Sequence, residues 1–317
     1  MTEAATAAVG LGAANVGNLY RAMSDDEAAA VLETAWDCGV RSFDTAPHYG
    51  LGLSERRLGA FLRGKRRSEF TVSTKVGRLL RPDPAWTGGL DDANDFVVPA
   101  DLRRVWDFSA DGVLRSLEES LARLGLDQVD AVYLHDPERH DLARGLDEGL
   151  RSLVALREQG LVAEVGVGSM DTGALAAFAR TGAVDRLMVA GRYTLADQSA
   201  AQEVLPVCRT HGVRVVAAAV FNSGLLATDR PGPDALFDYG SAPPEVLDRV
   251  TRIAAVCREL DVALPVAAMQ FPLRDPAVVG VVAGAATPEQ VRANVAAAQA
   301  VVPDALWDRL RTEGLVR

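Results

Sequence analysis

The chain has 317 residues, of which 49% are hydrophobic and 24% are charged, a composition typical of globular proteins and unlike that of disordered ones. Lysine and arginine total 33 and aspartate and glutamate total 43, so the formal net charge is −10, which disfavours nucleic acid and anionic membranes as partners. The first residues lack the basic segment of a signal peptide, and no apolar run reaches the ~18 residues of a membrane span. We therefore expect a cytoplasmic protein that binds small molecules.

Short segments rich in β-branched residues alternate with amphipathic segments along the chain. They lack strict alternation of polar and apolar residues, as is typical of parallel strands covered on both faces. Eight such segments over about 300 residues favour a closed (β/α)8 barrel over a doubly wound open sheet. No linker rich in proline, glycine or serine divides the chain, so we predict a single-domain α/β TIM barrel over residues 1–317. The predicted strands are 8–12, 42–45, 70–75, 129–135, 162–168, 187–191, 213–220 and 278–284.

Helix signals and long connections complete this pattern. Ser24 and Glu27 form a capping box, which predicts a helix that stops at Gly39. The connections 76–109 and 221–243 are too long for ordinary turns between a strand and a helix. They follow strands three and seven at their carboxyl ends, where barrels carry their active sites. We therefore expect long loops that shape the site.

Polar side chains close three of the predicted strands. Asp44 ends the second strand, Lys75 the third and His135 the fourth, and Tyr49 follows soon after Asp44. Because strand ends converge at the mouth of a barrel, we expect these side chains to meet. A lysine cation that pairs with Asp44 and faces a tyrosine hydroxyl lowers the pKa of the tyrosine, which suits proton transfer near neutral pH.

The segment FDTAPHYGLGLSERRLG, which starts at Phe43, resembles the signature of the aldo-keto reductases. The segments STKVG from Ser73 and VYLHDP from Val132 follow at the distances expected of that family. Within the superfamily, the segments STKVGRLL, AGRYTLADQ and VFNSGLL are most similar to NAD(P)-dependent aldose 1-dehydrogenases, and pyridoxal dehydrogenases share much of the pattern. The resemblance covers nearly the whole chain.

The resemblance implies a catalytic tetrad of Tyr49, Lys75, Asp44 and His135. Tyr49 would exchange a proton with the substrate oxygen, Lys75 and Asp44 would tune it, and His135 would orient the carbonyl or hydroxyl. Hydride would pass between the substrate and a nicotinamide, NAD or NADP. We expect oxidation of a sugar at C1 to a lactone. The alternatives are an NADPH-dependent aldehyde or ketone reductase, a pyridoxal dehydrogenase, and a redox-sensing regulatory subunit like those associated with channels.

By resemblance, two segments are expected to hold the cofactor. The turn after strand seven would wrap the pyrophosphate, and the helix that begins at Thr287 would receive an anion at its N-terminus. The expected cofactor contacts are Ser169, Phe221, Ser223, Gly224, Leu226, Gly284, Thr287, Gln290 and Asn294. Members that prefer NADP place Lys and Arg where this chain has Gly284 and Gln290, so we expect NAD to be used at least as well as NADP.

Positions that bind the nicotinamide ring in many members differ here. Gly168 and Ser169 replace a Ser-Asn pair, and Ala190 replaces the usual glutamine. Ala218 replaces the stacking tyrosine, for which Phe221 is the alternative. The sequence leaves open how the carboxamide of the nicotinamide is held.

Substrate contacts are expected in the long loop after strand three. Trp86 and Trp106, two of the four tryptophans, belong to this loop, and indole faces suit the C–H surfaces of sugars. Asp107 would bind a sugar hydroxyl, and His48 of the signature is also expected to contact the substrate. The alternative role of the tryptophans is to anchor the loop to the barrel.

Motifs for other chemistry are missing from the sequence. It contains no GxxxxGK[ST] phosphate loop, no HExxH and no GxSxG. We therefore expect no metal site, and the oligomeric state stays open.

Overall fold

A computed structural model describes residues 8–238 and 240–317. The strands in these residues are β1 (Val9–Gly12), β2 (Ser42–Asp44), β3 (Thr71–Val76), β4 (Arg78–Pro82), β5 (Leu90–Asp91), β6 (Phe96–Pro99), β7 (Leu102–Trp106), β8 (Val129–His135), β9 (Val162–Ser169), β10 (Arg186–Ala190), β11 (Arg214–Ala218), β12 (Leu236–Phe237), β13 (Gly240–Ser241) and β14 (Val278–Gly284). Eight of these described strands close into a parallel barrel in the order β1-β14-β11-β10-β9-β8-β3-β2. The predicted (β/α)8 fold is confirmed. The largest difference in a strand end is at the seventh barrel strand, predicted to reach residue 220 and observed to end at Ala218.

Helices surround the barrel and bury an apolar stripe against it. In the described part of the chain they are α1 (Asp25–Asp37), α2 (Leu53–Leu62), α3 (Ala110–Leu124), α4 (Leu142–Arg144), α5 (Leu150–Glu158), α6 (Thr172–Arg180), α7 (Ala200–His211), α8 (Pro244–Glu259), α9 (Leu264–Gln270), α10 (Pro288–Gln299) and α11 (Asp304–Thr312). The capping box before α1 is confirmed, with reciprocal hydrogen bonds of 3.1 and 2.7 Å between Ser24 and Glu27. No helix among these is both long and apolar enough to cross a membrane.

An apolar layer fills the barrel below the strand ends. Tyr133, Met188, Val216 and Val282 form this buried cluster, one residue each from β8, β10, β11 and β14. Such packed layers are usual in barrel interiors. The polar groups at the strand ends therefore lie above an apolar layer, on the side of the mouth.

The connection after β3 is more regular than its length predicted. β4 pairs antiparallel with β7, with Arg78 opposite Trp106 next to the barrel and Pro82 opposite Leu102 at the far end. β5 pairs with β6 inside the same connection. We call residues 78–106 the β-ribbon. The long connection predicted here is confirmed, and its regular pairing was not predicted, because these short strands obtain their partners within the connection and carry no barrel-strand pattern.

The connection after β11 is long, as predicted, and consists mainly of turns and bends. Residues 220–230 form consecutive turns and bends, and 233–234 form a further turn. The two-residue strands β12 and β13 follow and pair antiparallel. Proline, glycine and aspartate dominate RPGPD in this segment, and these residues favour turns. The two long connections therefore differ in kind, although the sequence made them look alike.

Candidate active site

The ends of β2 and β3 bring Asp44 and Lys75 into a buried ion pair. Lys75 Nζ donates to Asp44 Oδ2 at 2.6 Å and to the carbonyl oxygen of Thr45 at 3.1 Å. Asp44 also accepts a hydrogen bond from the Ser73 hydroxyl at 2.7 Å. Lys75 is 2% exposed and Asp44 is 3% exposed. Burial of these charges is tolerable because they neutralise each other and have further hydrogen-bond partners.

Tyr49 lies over this ion pair. Lys75 Nζ is 4.6 Å from the centroid of the phenol ring. Burial raises the pKa of Tyr49, and this effect outweighs the opposite effect of the Lys75 charge. The pKa of Lys75 is itself raised, because Asp44 and Tyr49 together outweigh the lowering effect of burial. The expectation of a lowered tyrosine pKa is therefore wrong in net direction, although the lysine acts as predicted.

His135 and His48 lie on the other side of Tyr49. The centroid of the Tyr49 ring is 6.0 Å from that of His135 and 6.1 Å from that of His48, and the imidazole centroids are 5.5 Å apart. Burial lowers the pKa of both histidines well below the usual value, and nearby cations add to this effect. Both rings are therefore neutral near pH 7, when each has one donor and one acceptor nitrogen.

Two residues of the β-ribbon that the sequence did not single out form a wall of the mouth. Phe96 is 2% exposed, and its ring centroid lies 5.5 Å from that of His48 and 6.1 Å from that of Tyr49. Arg104 donates to the carbonyl oxygen of His48 at 2.9 Å and pairs with Asp91 at 2.5 Å. The apolar run FVVP around Phe96 was the available signal, whereas nothing in the sequence distinguished Arg104 from other arginines.

Arg78 links the β-ribbon to the end of β8. Its guanidinium pairs with Asp136, which follows His135 and has a left-handed backbone with φ of 43°. The same guanidinium lies 4.3 Å from the ring centroid of Trp106, and Trp106 stacks on His140 with centroids 5.3 Å apart. Trp106 thus makes the contacts of an anchor, which was the alternative to the predicted sugar contact.

The side-chain hydrogen bonds of Trp86 and Asp107 lie within their own segments. Trp86 is 42% exposed beyond the end of β4, and its indole N–H donates to the carbonyl oxygen of Gly89 at 3.2 Å. Asp107 accepts hydrogen bonds from the backbone N–H and the hydroxyl of Ser109, at 3.0 and 2.6 Å. These bonds support the start of α3. Contact of either residue with substrate stays a prediction.

Comparison with known proteins identifies the family of the chain. The model of the aldo/keto reductase family matches residues 8–312. The chain belongs to the aldo/keto reductase family. It is 54% identical over 323 residues to D-threo-aldose 1-dehydrogenase of Pseudomonas sp, an alignment that covers 99% of this chain and 98% of the relative.

Two further matches of this aldo/keto reductase are a protein with a different named activity and a solved structure. Pyridoxal 4-dehydrogenase of Microbacterium luteolum is 39% identical over 336 residues, which cover 98% of this chain and 94% of that protein. The solved structure of an aldo-keto reductase from Bacillus halodurans, in its holo form, superposes with a TM-score of 0.75 at 24% identity and covers 98% of this chain and 92% of that chain. The structural likeness shows the fold.

In this aldo/keto reductase, the ends of β9, β10 and β11 carry small residues. Gly168, Ala190 and Ala218 occupy these ends, and a Cβ atom built on Gly168 would meet its neighbours only at ordinary contact distances of 3.6 Å and more. The hydroxyl of Ser169 is engaged, because it donates to Glu138 at 2.7 Å. The small residues leave space on this side of the mouth.

The turn after β11 gathers the residues predicted to contact pyrophosphate. The carbonyl oxygen of Phe221 accepts hydrogen bonds from the N–H groups of Gly224 and Leu226, both at 3.1 Å. Asn222 and Ser223 have left-handed φ values of 43° and 56°, which are costly for residues with a side chain. Gly224 has a φ of 95°, and no atom lies within 4 Å of its Cβ position. The backbone of Gly224 is therefore accessible from the solvent.

The predicted adenosine contacts form the cap of α10. The hydroxyl of Thr287 accepts from the N–H of Gln290 at 3.3 Å, and Gln290 Oε1 accepts from the N–H of Ala286 at 2.7 Å. Asn294 donates to the carbonyl oxygen of Gly284 at 3.1 Å. These residues do come together, and each already has a backbone partner.

Arg21 is a cation at this helix start that was not predicted. It donates to the carbonyl oxygen of Ala286 at 2.9 Å and pairs with Glu27 at 3.2 Å. The other nearby cation, Arg292, pairs with Glu289 at 3.4 Å. Arg21 is 265 positions from Ala286 in the sequence, so no local pattern pointed to their contact.

Proposed function

We propose that the protein is a nicotinamide-dependent dehydrogenase that oxidises an aldose at C1 to a lactone. The observation that carries the proposal is the position of Tyr49 between the buried Lys75–Asp44 pair and the neutral His135. A hydroxyl between a cation and a neutral hydrogen-bond donor suits proton exchange with a substrate oxygen. The name of the 54% identical relative, D-threo-aldose 1-dehydrogenase, supports an aldose as substrate.

In the oxidation direction, Tyr49 acts as the base. It accepts the proton of the C1 hydroxyl while the C1–H bond breaks and its electron pair leaves with the hydrogen as hydride, so that C1 becomes the lactone carbonyl. A bound nicotinamide supplies the acceptor for this hydride. Lys75 favours the phenolate that takes the proton, and Asp44 keeps Lys75 charged. His135 donates a hydrogen bond to the reacting oxygen and holds it beside Tyr49.

The residues across the mouth fit a dinucleotide. The small residues at the ends of β9, β10 and β11 leave space for a flat ring, and the open backbone at Gly224 lets a phosphate approach. The N-terminus of α10 favours negative charge. In this proposal the residues that hold the cofactor are Ser169, Phe221, Ser223, Gly224, Leu226, Gly284, Thr287, Gln290 and Asn294.

Within this proposal, NAD is used at least as well as NADP. A 2′-phosphate needs cations with several donors for its recognition, and neither Gly284 nor Gln290 supplies one. Arg21 and Arg292 lie near the cap of α10, but both are paired with glutamates. The ratio of kcat/KM for NAD to that for NADP tests the proposal. A preference for NADP of tenfold or more would overturn it.

A panel of substrates tests the proposed reaction. L-Fucose, D-arabinose, L-galactose, pyridoxal and an aromatic aldehyde are assayed with oxidised and reduced NAD and NADP. We expect the highest kcat/KM with an aldose and oxidised cofactor, with a lactone as product. A higher value for pyridoxal would support the activity named in the 39% identical relative. Tightly held cofactor without turnover of any substrate would instead indicate the regulatory subunit.

A further inference from the structure

Arg78 contacts both histidines of the mouth, although it is not one of the four proposed catalytic residues. Its Nη1 lies 3.4 Å from Nδ1 of His48, and its Nη2 lies 3.5 Å from the carbonyl oxygen of His135. The ion pair with Asp136 and the ring of Trp106 hold the guanidinium in place. The Arg78 side chain is 6% exposed. A buried cation with restricted geometry therefore lies against the ring of His48 and the backbone of His135.

This contact favours one tautomer of His48. A guanidinium donates hydrogen bonds and accepts none, so the Nδ1 atom that faces Arg78 must present a lone pair. In a neutral imidazole the proton is then on Nε2. The ring packs edge to face against Phe96, and its titratable ring neighbours are Tyr49 and His135. His48 is thus held as a hydrogen-bond donor through Nε2.

We propose that Arg78 is a positioning residue that fixes the tautomer of His48, so that its Nε2–H donates a hydrogen bond to a sugar oxygen beside Tyr49. The same cation favours the uncharged form of both imidazoles. The part of this inference that concerns the sugar rests on the proposed function. The state of the imidazoles is independent of it and is measurable without substrate.

The charged groups around His135 act in opposite directions. Arg78, Lys75 and Arg139 favour the neutral ring, whereas Asp136, whose Oδ2 is 3.7 Å from His135 Nε2, favours the charged ring. Arg78 neutralises this carboxylate through their ion pair. Loss of Arg78 removes a cation and also leaves the carboxylate with the longer ion pair to Arg139, at 3.9 Å. Both changes raise the pKa of His135.

Cations also surround His48. After burial, the charges that lower its pKa are those of Arg104, Arg78, Arg139 and Lys75. Arg104 contacts the backbone carbonyl of His48, whereas Arg78 faces a ring nitrogen. Loss of Arg78 therefore both raises the pKa of His48 and removes the constraint on its tautomer.

The chain has four histidines, so the ring nitrogens can be followed by long-range ¹H–¹⁵N NMR. His140→Gln and His211→Gln identify the signals outside the mouth. In the unmodified protein we expect His48 as the Nε2–H tautomer, and both mouth histidines neutral through the range near 6.5 in which histidine ordinarily titrates. In Arg78→Gln we expect both pKa values to rise by about one unit, and the signals of His48 to become those of mixed tautomers.

Arg81→Gln is the matched control. Arg81 lies on the same strand and pairs with Glu119 at 2.9 Å, so the variant makes the same charge change on the ribbon away from the histidines. The double variant Arg78→Gln with Asp136→Asn removes the whole ion pair, and it should still lose the fixed tautomer even if Arg78→Gln alone folds poorly. Unchanged histidine signals in Arg78→Gln and in the double variant would overturn the proposal, as would equal shifts in Arg81→Gln.

A kinetic measurement separates this inference from the proposed function. In Arg78→Gln, kcat/KM for aldose oxidation should fall, because His48 no longer presents Nε2–H to the sugar in a fixed tautomer, and Arg81→Gln should keep the original value. Absence of aldose oxidation in the unmodified protein would contradict the proposed function and leave the NMR result intact. Aldose oxidation together with unchanged NMR signals would contradict the role of Arg78 alone.

Discussion

The two sides of the barrel mouth are held together in different ways. On the side of the β-ribbon, Arg78 and Arg104 each pair with an aspartate and each also contact His48. Across the barrel, the turn after β11 and the start of α10 are held by short-range bonds, such as that between Gln290 and the backbone of Ala286. The ribbon side therefore depends on buried ion pairs, whereas the other side depends on turns and caps, to which Arg21 adds a long-range hydrogen bond at Ala286.

Removal of the Arg104 charge is expected to have the largest effect on the difference between the two sides. Arg104→Gln leaves Asp91, which is 6% exposed, without its cation. Loss of one member of a buried pair costs about 3–5 kcal/mol, and we expect the free energy of unfolding, measured in urea, to fall by this amount. The matched change across the mouth, Gln290→Ala, should cost about 1 kcal/mol or less. Equal losses in the two variants would contradict the difference between the sides.

Tyr49→Phe tests the chemistry while it leaves both sides in place. The change removes only the hydroxyl, so kcat for aldose oxidation should fall by about 10² or more, the range of a lost general base. Cofactor affinity, measured by fluorescence titration, should stay the same. Tyr193→Phe, which removes a hydroxyl elsewhere in the core, is the control. Near-normal turnover in Tyr49→Phe would exclude its role as the base.

Lys75→Met tests the coupling of the ion pair to Tyr49 through pH. Oxidation needs the phenolate, and burial raises the pKa of Tyr49, so the rate should increase with pH above neutrality. The lysine charge lowers this pKa in part, so its removal should move the increase to higher pH and reduce kcat at neutral pH by about tenfold or more. An increase in rate at the same pH as in the unmodified protein would contradict the coupling.

Gln290→Arg tests the side of the mouth proposed to hold the cofactor, and its effect on the preference for NADP over NAD is expected to be the smallest of the four. It adds a cation at the cap of α10, where a 2′-phosphate would be recognised. We expect the preference for NADP over NAD to rise by about tenfold or less, the equivalent of one charged hydrogen bond. Arg292→Gln, which removes a cation paired with Glu289, should leave the preference unchanged. A fall in NADP preference in Gln290→Arg would show that the 2′ position lies elsewhere.

Local patterns predicted the barrel well and the β-ribbon poorly. Barrel strands such as Val129–His135 are apolar runs between amphipathic helices, and burial on both faces imposes that pattern directly on the sequence. The strands Arg78–Pro82 and Leu102–Trp106 are short and pair with each other across 19 intervening residues. Their regularity depends on a partner in the same connection, so composition alone indicated a loop.

The residues of the site divide into those that barrel topology places at the mouth, which were predicted, and those placed by contacts with distant segments, which were missed. Asp44, Lys75 and His135 end barrel strands, and the topology of a closed parallel barrel requires such positions to converge. Arg104 and Arg21 were missed because their partners, the carbonyl oxygens of His48 and Ala286, belong to distant parts of the chain. Which arginine reaches which carbonyl depends on how each connection folds back over the mouth.

The sequence by itself determined the eight-stranded barrel, the family and the set of groups that meet at the mouth, because each depends on periodicity or on position along a strand. The tertiary structure alone decided their protonation. Lys75 was correctly expected to favour the phenolate of Tyr49, yet the pKa of Tyr49 is raised because burial acts more strongly. The histidines are neutral for the same reason, with cations of the β-ribbon adding to the effect. Burial and the summed field of distant charges exist only once the ribbon has closed over the strand ends.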